Sequence, residues 1–149
     1  MASLIEIDDL KNIHRTAILS GGIDEMSLID TVRDEATLYY IVERANYIDA
    51  AYERSAWIMW SVANYHPFME GNKRTALLSG EIQLSDEFID INDTIMNTYI
   101  RNLAAGNITE DELCAWIKTH AKRLDCDENC EHLGMLIKIH KEALRLLSI

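Results

Sequence analysis

One ten-residue segment, HPFMEGNKRT at positions 66–75, combines residues whose chemistry suits phosphate binding and proton transfer. His66 can accept or donate a proton near neutral pH. Glu70 offers a hard carboxylate of the kind that Mg²⁺ takes together with substrate phosphates. Lys73 and Arg74 carry positive charge, the first as a compact ammonium and the second as a fork that can grip two phosphate oxygens.

The middle of this segment predicts a tight junction between two helices. Gly71 lets the backbone approach a ligand closely, and Asn72 tolerates unusual turn dihedrals. A helix predicted over Lys73–Leu84 would present its free N–H groups and positive dipole end beside them, which is a natural cradle for an anion. Two cations at a helix start oppose that dipole, so a bound anion would explain them. Pro67, the sole proline, and Phe68 are expected to anchor the loop to the core.

Each of these residues also has a structural interpretation on its own. A lone histidine after a helix is often a capping or surface residue, and a lone glutamate is usually a solvated carboxylate. The combination at this spacing is what favours the chemical interpretation.

The rest of the sequence favours helices around this junction. One proline and six glycines in 149 residues, 48% of them hydrophobic, suit an all-α single domain. Apolar residues at helical spacing predict a first helix that stops at Gly21-Gly22, a second that begins near Ser27 and uses Leu28, Ile29 and Val32, and a buried central helix from Ala50 to Tyr65.

Capping signals mark the later helices. Asn92-Asp93 is a plausible N-cap after an extended connector, and Thr109 with Glu112 forms a capping box. A last helix carries Leu133, Leu136, Ile137, His140, Leu144 and Leu147. Its apolar stripe is expected to cap the bundle, with a dimer or partner interface as the alternative.

Composition excludes several classes of protein. The formal net charge of −11 argues against a broad nucleic-acid surface, which needs clustered lysine and arginine. A stretch of about 20 apolar residues is absent, and so is the basic and apolar start of a signal peptide. Three cysteines do not suit a disulfide framework, so a cytoplasmic protein with no membrane contact is expected.

A zinc site is a weaker alternative near the C-terminus. Cys126, Cys130 and His132, with His120 nearby, offer soft ligands, but a polar loop explains the same spacing. Cys114 is expected to be half-buried, His14 to be a structural histidine on the apolar face of the first helix, and the three tryptophans to belong to the core.

The motif H-P-F-x-x-G-N-K-R-T resembles the signature of the Fic/Doc (Fido) family, and specifically its Doc-like branch. Leu10-x-x-Ile13-His14, Gly21-Gly22-Ile23 and Ser27-Leu28-Ile29-Asp30 extend the resemblance. It covers residues 4–122 and leaves 123–149 as a C-terminal helical extension expected to pack on the same domain. The resemblance implies an all-α bundle with the motif loop between two central helices.

The resemblance also implies a transferase that uses Mg-ATP to modify a Ser, Thr or Tyr hydroxyl of a target protein. His66 would take the proton of the attacking hydroxyl, and Glu70 would hold Mg²⁺. Gly71, Asn72 and Lys73 would cradle the phosphates. Arg74 would grip a phosphate and offset charge that develops during transfer.

Lys73 decides the subtype within the resemblance. Members that transfer AMP usually have glycine there, whereas G-N-K-R is similar to Doc, which phosphorylates translation elongation factor Tu. Doc-like phosphorylation by the toxin of a toxin–antitoxin pair is therefore the leading expectation. The alternatives are AMP transfer and a degenerate domain that binds nucleotide or protein without turnover.

Two features depart from the family pattern. The inhibitory S/T-x-x-x-E-G/N sequence has no match, so inhibition would come from a separate small antitoxin. The stretch 36–49, where a target-positioning flap is expected between the second and pre-motif helices, has no proline or glycine and could continue a helix.

Overall fold

The computed structural model describes residues 5–20, 31–125 and 131–148, and in these ranges the chain is mainly helical. Its helices are α1 (Ile7–Ser20), α2 (Glu35–Asn46), α3 (Ala51–Tyr65), α4 (Asn72–Glu81), α5 (Asp93–Ala104), α6 (Glu110–His120), α7 (His132–Ile139) and α8 (Lys141–Leu147), with a 3₁₀ turn at Ile82–Leu84. Strands β1 (Glu87–Ile89) and β2 (Ala121–Arg123) pair antiparallel, with Phe88 opposite Lys122. The all-α prediction is confirmed. None of the described helices has the length and apolarity needed to cross a membrane.

Helices α3 and α4 form the centre of the bundle and meet at the motif. Ile58, Met59 and Val62 of α3 are fully buried, as are Leu77 and Leu78 of α4. The two helices approach closely at Gly80, where a Cβ atom would lie 2.7 Å from Met59 Cε and 3.2 Å from the carbonyl oxygen of Ser55. Ser55 Oγ donates to the carbonyl of Gly80 at 2.7 Å and fastens this contact. The motif loop is therefore mounted on the most deeply buried pair of helices.

Local capping signals place the helix ends where the sequence predicts them. The side chain of Asn92 accepts hydrogen bonds from the backbone N–H groups of Thr94 and Ile95 at the start of α5. The capping box of Thr109 and Glu112 is present at the start of α6. Both signals depend only on residues within three positions of each other.

The predicted second helix is corrected by the structure. Val32 lies in extended backbone and forms an isolated antiparallel bridge with Phe68; Ser27, Leu28 and Ile29 lie outside the described residues. Helix α2 begins instead at Glu35, because the Asp34 carboxylate caps it by accepting from the N–H of Thr37. Hydrogen bonding to the side chain of Thr37, and then to its backbone N–H, lowers the pKa of Asp34, which keeps the cap charged.

The predicted last helix is divided into α7 and α8 at His140, whose backbone has φ −98° and ψ 19°. Leu136, Leu144 and Leu147 are buried in the same core as the central helices. The apolar stripe therefore packs within this chain and caps the bundle, as predicted. Strand β2 was not predicted, because a three-residue strand is too short to show alternation.

The break at His140 coincides with a buried charged pair. His140 Nε2 lies 2.8 Å from Glu81 Oε2, and both side chains are almost completely inaccessible to solvent. Burial alone would lower the pKa of His140, but the adjacent Glu81 carboxylate raises it on balance. The same carboxylate oxygen accepts from the backbone N–H of Ile89 at 2.8 Å. Glu81 thus joins the end of α4 to both β1 and the C-terminal helices.

We expect Glu81→Leu to lower the free energy of unfolding by roughly 3–5 kcal/mol, because it leaves His140 buried without its charge partner. Urea unfolding followed by circular dichroism measures this loss. The double variant Glu81→Leu/His140→Leu should recover part of it, since no uncompensated charge then remains. Glu142→Gln, which disrupts the exposed pair with Arg145, is the control and should leave the unfolding midpoint unchanged. A double variant no more stable than the single one would contradict the pairing argument.

Candidate active site

The motif loop connects α3 to α4 between two residues with left-handed backbone. His66 ends α3 at φ 50° and ψ 60°, and Gly71 precedes α4 at φ 79° and ψ 14°. A left-handed non-glycine residue costs about 1–3 kcal/mol and persists only where its surroundings impose it. The contacts that hold the loop must therefore stabilise His66 in a conformation that it would not adopt alone.

Helix α1 supplies the first of these contacts through His14. The imidazole of His14 is fully buried, and its Nε2 lies 2.8 Å from the carbonyl oxygen of Glu70. The same ring stacks on the fully buried ring of Phe68, with centroids 3.9 Å apart and planes 4° from parallel. His14 is therefore the structural histidine that the sequence indicates. Pro67 is also buried at this junction.

Asn72 closes the loop from the other side. Its side-chain oxygen accepts from the N–H of Phe68 at 3.1 Å, and its side-chain nitrogen donates to the carbonyl of Phe68 at 2.9 Å. Both ends of the amide are thereby engaged with the loop backbone. Because its side chain is engaged in this way, Asn72 can contribute to an anion cradle only through its backbone N–H.

Arg33 holds the end of α3 and was missed by the sequence analysis. Its Nε and Nη2 donate to the carbonyls of His66 and Tyr65, each at 2.6 Å, and its backbone N–H donates to the carbonyl of Pro67 at 2.8 Å. A cation at a helix C-terminus satisfies carbonyls that have no partner in the helix and complements the dipole. No local spacing pattern connects Arg33 to residues more than 30 positions away, so only the fold reveals this contact.

The N-terminus of α4 is open to an anion. Among the residues that the structure describes, no side chain caps it, and its first turn contains no acidic residue. The first backbone N–H groups of a helix have no partner within the helix and attract negative charge. Lys73 is half-buried in this first turn and adds a full positive charge beside them.

Arg74 is placed differently from Lys73. Its side chain is only 2% exposed, and Nη1 donates to the carbonyls of Ala17 at 3.0 Å and Ile18 at 3.4 Å. These carbonyls belong to the last turns of α1, where a positive charge is favourable. The structure thus supplies a second reason for an arginine at the start of α4, besides a bound anion. The phosphate-gripping role of Arg74 stays a prediction.

His66 has the electrostatic surroundings of a base. Its side chain is exposed, yet partial burial lowers its pKa below 6.5, and the positive charges of Arg33 and Lys73 lower it further. A lowered pKa keeps the imidazole neutral at pH 7, so that a ring nitrogen is available to accept a proton.

An open cleft of about 570 Å³ lies beside His66. We call it the Tyr40 cleft, and it is lined by Arg33, Ala36, Thr37, Tyr40, Asn64, Tyr65 and His66. The stretch 36–49 is mostly helical, as its lack of proline and glycine allows, and α2 supplies part of the cleft wall. The shorter segment that pairs with the motif loop is instead 31–34.

Glu70 is exposed at the loop, and within the described part of the chain its backbone carbonyl is engaged by His14. Within the described ranges, no group of three His, Cys, Asp or Glu side chains is positioned to hold a metal ion. A single accessible carboxylate fits a Mg²⁺ ion that arrives with phosphates, because Mg²⁺ commonly takes one or two carboxylates and completes its shell from substrate and water.

The zinc alternative stays a prediction, because Cys126 and Cys130 lie outside the described residues. His120 Nδ1 lies 2.9 Å from the carbonyl of Trp116, and His132 Nε2 lies 2.9 Å from that of Glu87. Cys114 is half-buried, as predicted, and burial raises the pKa of its thiol.

We expect Gly71→Ala to lower the free energy of unfolding by about 1–3 kcal/mol. The alanine would have to adopt a left-handed backbone conformation. Its Cβ atom would lie 2.7 Å from Ile18 Cδ1. Gly134→Ala in α7 is the matched control, since its Cβ atom would meet only ordinary contacts, the nearest at 3.7 Å. Thermal unfolding of the three proteins measures both effects. A Gly71→Ala protein as stable as Gly134→Ala would show that the loop is not constrained in this way.

We expect Lys73→Met to raise the pKa of His66 towards 6.5, because a neighbouring positive charge is removed. The acid limb of any activity that requires neutral His66 should then move to higher pH. NMR titration of the imidazole signals, assigned with His66→Ala, measures the shift. Lys118→Met, an exposed lysine on α6, is the control and should leave His66 unchanged. An unaltered titration in Lys73→Met would remove Lys73 from the electrostatics of the site.

Comparison with known proteins agrees with this geometry. The model of the Fic/DOC family matches residues 4–84, which is more than half of the chain and includes the whole motif loop. Among curated proteins, no sequence matches the chain. Fic/DOC proteins generally include transferases that modify other proteins, and they typically use ATP and Mg²⁺. The extent of the match shows that this chain belongs to the Fic/DOC family.

Proposed function

We propose that the protein transfers the γ-phosphate of Mg-ATP to a hydroxyl side chain of a target protein. The observation that carries the proposal is the placement of His66. A neutral, exposed imidazole is held rigidly at the end of α3, within the electrostatic influence of Lys73 at the uncapped start of α4. A proton acceptor next to an anion cradle is the arrangement that transfer from a polyphosphate requires.

We assign phosphate binding, metal binding and proton transfer to different residues of the motif. The N-terminal N–H groups of α4 and the Lys73 ammonium bind and orient the phosphates. Glu70 would hold Mg²⁺, which when bound neutralises phosphate charge. His66 accepts the proton of the attacking hydroxyl, and the loop contacts to His14 and Asn72 keep it in position.

The choice of γ-phosphate depends on Lys73. A glycine at this position would leave open space beside the helix N-terminus, whereas the lysine side chain partly fills it and adds a charge. This favours a nucleotide bound in the reverse direction, with its γ-phosphate next to His66. AMP transfer is the alternative within the same site.

The resemblance of the motif G-N-K-R to the Doc-like branch also supports a role as the toxin of a toxin–antitoxin pair. The absence of an inhibitory S/T-x-x-x-E-G/N sequence supports inhibition by a separate small protein. A cytoplasmic translation factor is a suitable target class for such a toxin.

A degenerate module that binds nucleotide or protein without turnover is the second candidate. It is favoured by the helical course of α2, which leaves no long flap within the described stretch 35–46 to position a target, and by the burial of Arg74. The retained His66, Glu70 and Lys73 favour the enzyme.

Incubation with lysate and ATP labelled at either the α- or the γ-phosphate tests the proposal. We expect protein labelling from the γ position alone, because Lys73 orients that phosphate towards His66. His66→Ala should abolish labelling but retain Mg-ATP binding, and it should relieve any growth arrest caused by expression. His120→Ala is the matched control for loss of an imidazole elsewhere.

The same assay separates the alternatives. Label from the α position alone would show AMP transfer and overturn the choice of γ-phosphate. Lys73→Gly should move the label towards the α position, whereas Lys118→Gly should not. Mg-ATP binding without label from either position would show the degenerate module.

A further inference from the structure

We propose that the Tyr40 cleft receives the acceptor side chain and selects tyrosine over serine or threonine. This inference rests on the proposed transfer to a hydroxyl and adds the class of acceptor. It depends on three features of the described structure: the position of the cleft relative to His66, its aromatic lining, and the Arg33 cation that lines it.

The position of the cleft makes it the acceptor side of the site. His66 lines it, but residues 70–74 do not. The Tyr40 cleft therefore adjoins the motif loop at its His66 end, whereas the phosphate cradle proposed above lies at the other end of the loop, where α4 begins. A base that removes a proton from the acceptor must lie between the acceptor and the reacting phosphate, and His66 is the residue shared by both.

The lining of the cleft suits an aromatic ring. Tyr40 is 49% exposed, and its ring centroid lies 6.4 Å from that of Tyr65. The ring of Trp57 packs edge-on against both tyrosines, with its centroid 5.7 Å from that of Tyr40 and 6.3 Å from that of Tyr65. An incoming aromatic side chain gains favourable edge or offset contacts with such rings beyond the burial of its surface. The short side chains of serine and threonine would gain none of these contacts.

The charges beside the cleft favour a phenol. Arg33 lines the cleft, and it and Lys73 both act on His66. Partial burial and these cations make His66 a weaker base. A weaker base suits a phenol, with an unperturbed pKa of about 10, far better than an aliphatic hydroxyl. Arg33, which lines the cleft, would also stabilise negative charge that develops on the phenolic oxygen.

The proposed step transfers the γ-phosphate of ATP to the phenolic oxygen of a tyrosine. The phenolic O–H bond breaks and its proton moves to a His66 ring nitrogen. The phenolic oxygen forms a bond to the γ-phosphorus of ATP, and the bond from that phosphorus to the β,γ-bridging oxygen breaks. ADP leaves with the electron pair of that bond.

Identification of the labelled amino acid tests the inference. The full chain is incubated with lysate, Mg²⁺ and γ-labelled ATP, and the labelled protein is hydrolysed so that phosphotyrosine, phosphoserine and phosphothreonine can be separated. We expect most of the label in phosphotyrosine. Label mainly in phosphoserine or phosphothreonine would overturn the inference and leave the proposed function intact. No label in protein would overturn both.

A pair of neighbouring tyrosines provides matched variants. Tyr40→Leu should lower tyrosine labelling about three- to tenfold, the range expected for loss of an aromatic contact, and Tyr40→Phe should restore it. Tyr39→Leu removes a tyrosine from the same helix that is 60% exposed and does not line the cleft, so it should match the unaltered protein. Mg-ATP binding should be equal in all four. Tyrosine labelling insensitive to Tyr40→Leu would overturn the role of the cleft.

Discussion

The structure of the site depends on the contact between α1 and the motif loop. His14 is buried among apolar residues of α1, stacks on Phe68 and lies within hydrogen-bonding distance of the carbonyl of Glu70. At position 71 the loop lies so close to α1 that an added Cβ atom would come within 2.7 Å of Ile18 Cδ1, and the left-handed backbone there favours glycine. With both the centre and the end of the loop held, His66 can be kept in a left-handed backbone conformation. The position of the proton acceptor is thus decided by a helix about 50 residues earlier in the sequence.

Two arginines of this acidic chain donate hydrogen bonds to the carbonyl groups at helix C-termini. Arg33 donates to the last carbonyls of α3, and Arg74 donates to the last carbonyls of α1. Lys73 differs, because it lies half-exposed at a helix start, where its charge opposes the dipole. The structural role of Arg33 has an electrostatic consequence, since its charge also lowers the pKa of His66. Arg33 therefore holds the backbone of His66 and, after partial burial of the ring, contributes to the lowered pKa of its imidazole.

The features that the sequence predicts well are those encoded within one or two helical turns. The capping box at Thr109 and the central helix ending at Tyr65 belong to this group. The features that it predicts poorly depend on partners distant in the chain. Val32 fits a helical pattern but pairs with Phe68, and Arg33 has no local pattern that links it to His66. The charges at the start of α4 predict an anion site, but the sequence does not show that Arg74 turns towards α1.

The C-terminal helices α7 and α8 hold the other end of α4 through contacts that are also distant in the sequence. The family match ends at residue 84, yet Leu136, Leu144 and Leu147 complete the core into which α4 packs. Glu81, the last residue of α4, is held by His140 and by the backbone of Ile89. A carboxylate at a helix C-terminus opposes the dipole, so its burial there requires the opposite charge that the break between α7 and α8 supplies. Helix α4 is consequently held at its start by the motif loop and at its end by the extension. The residues beyond the family match thus contribute to the orientation of the helix whose N-terminus faces the site.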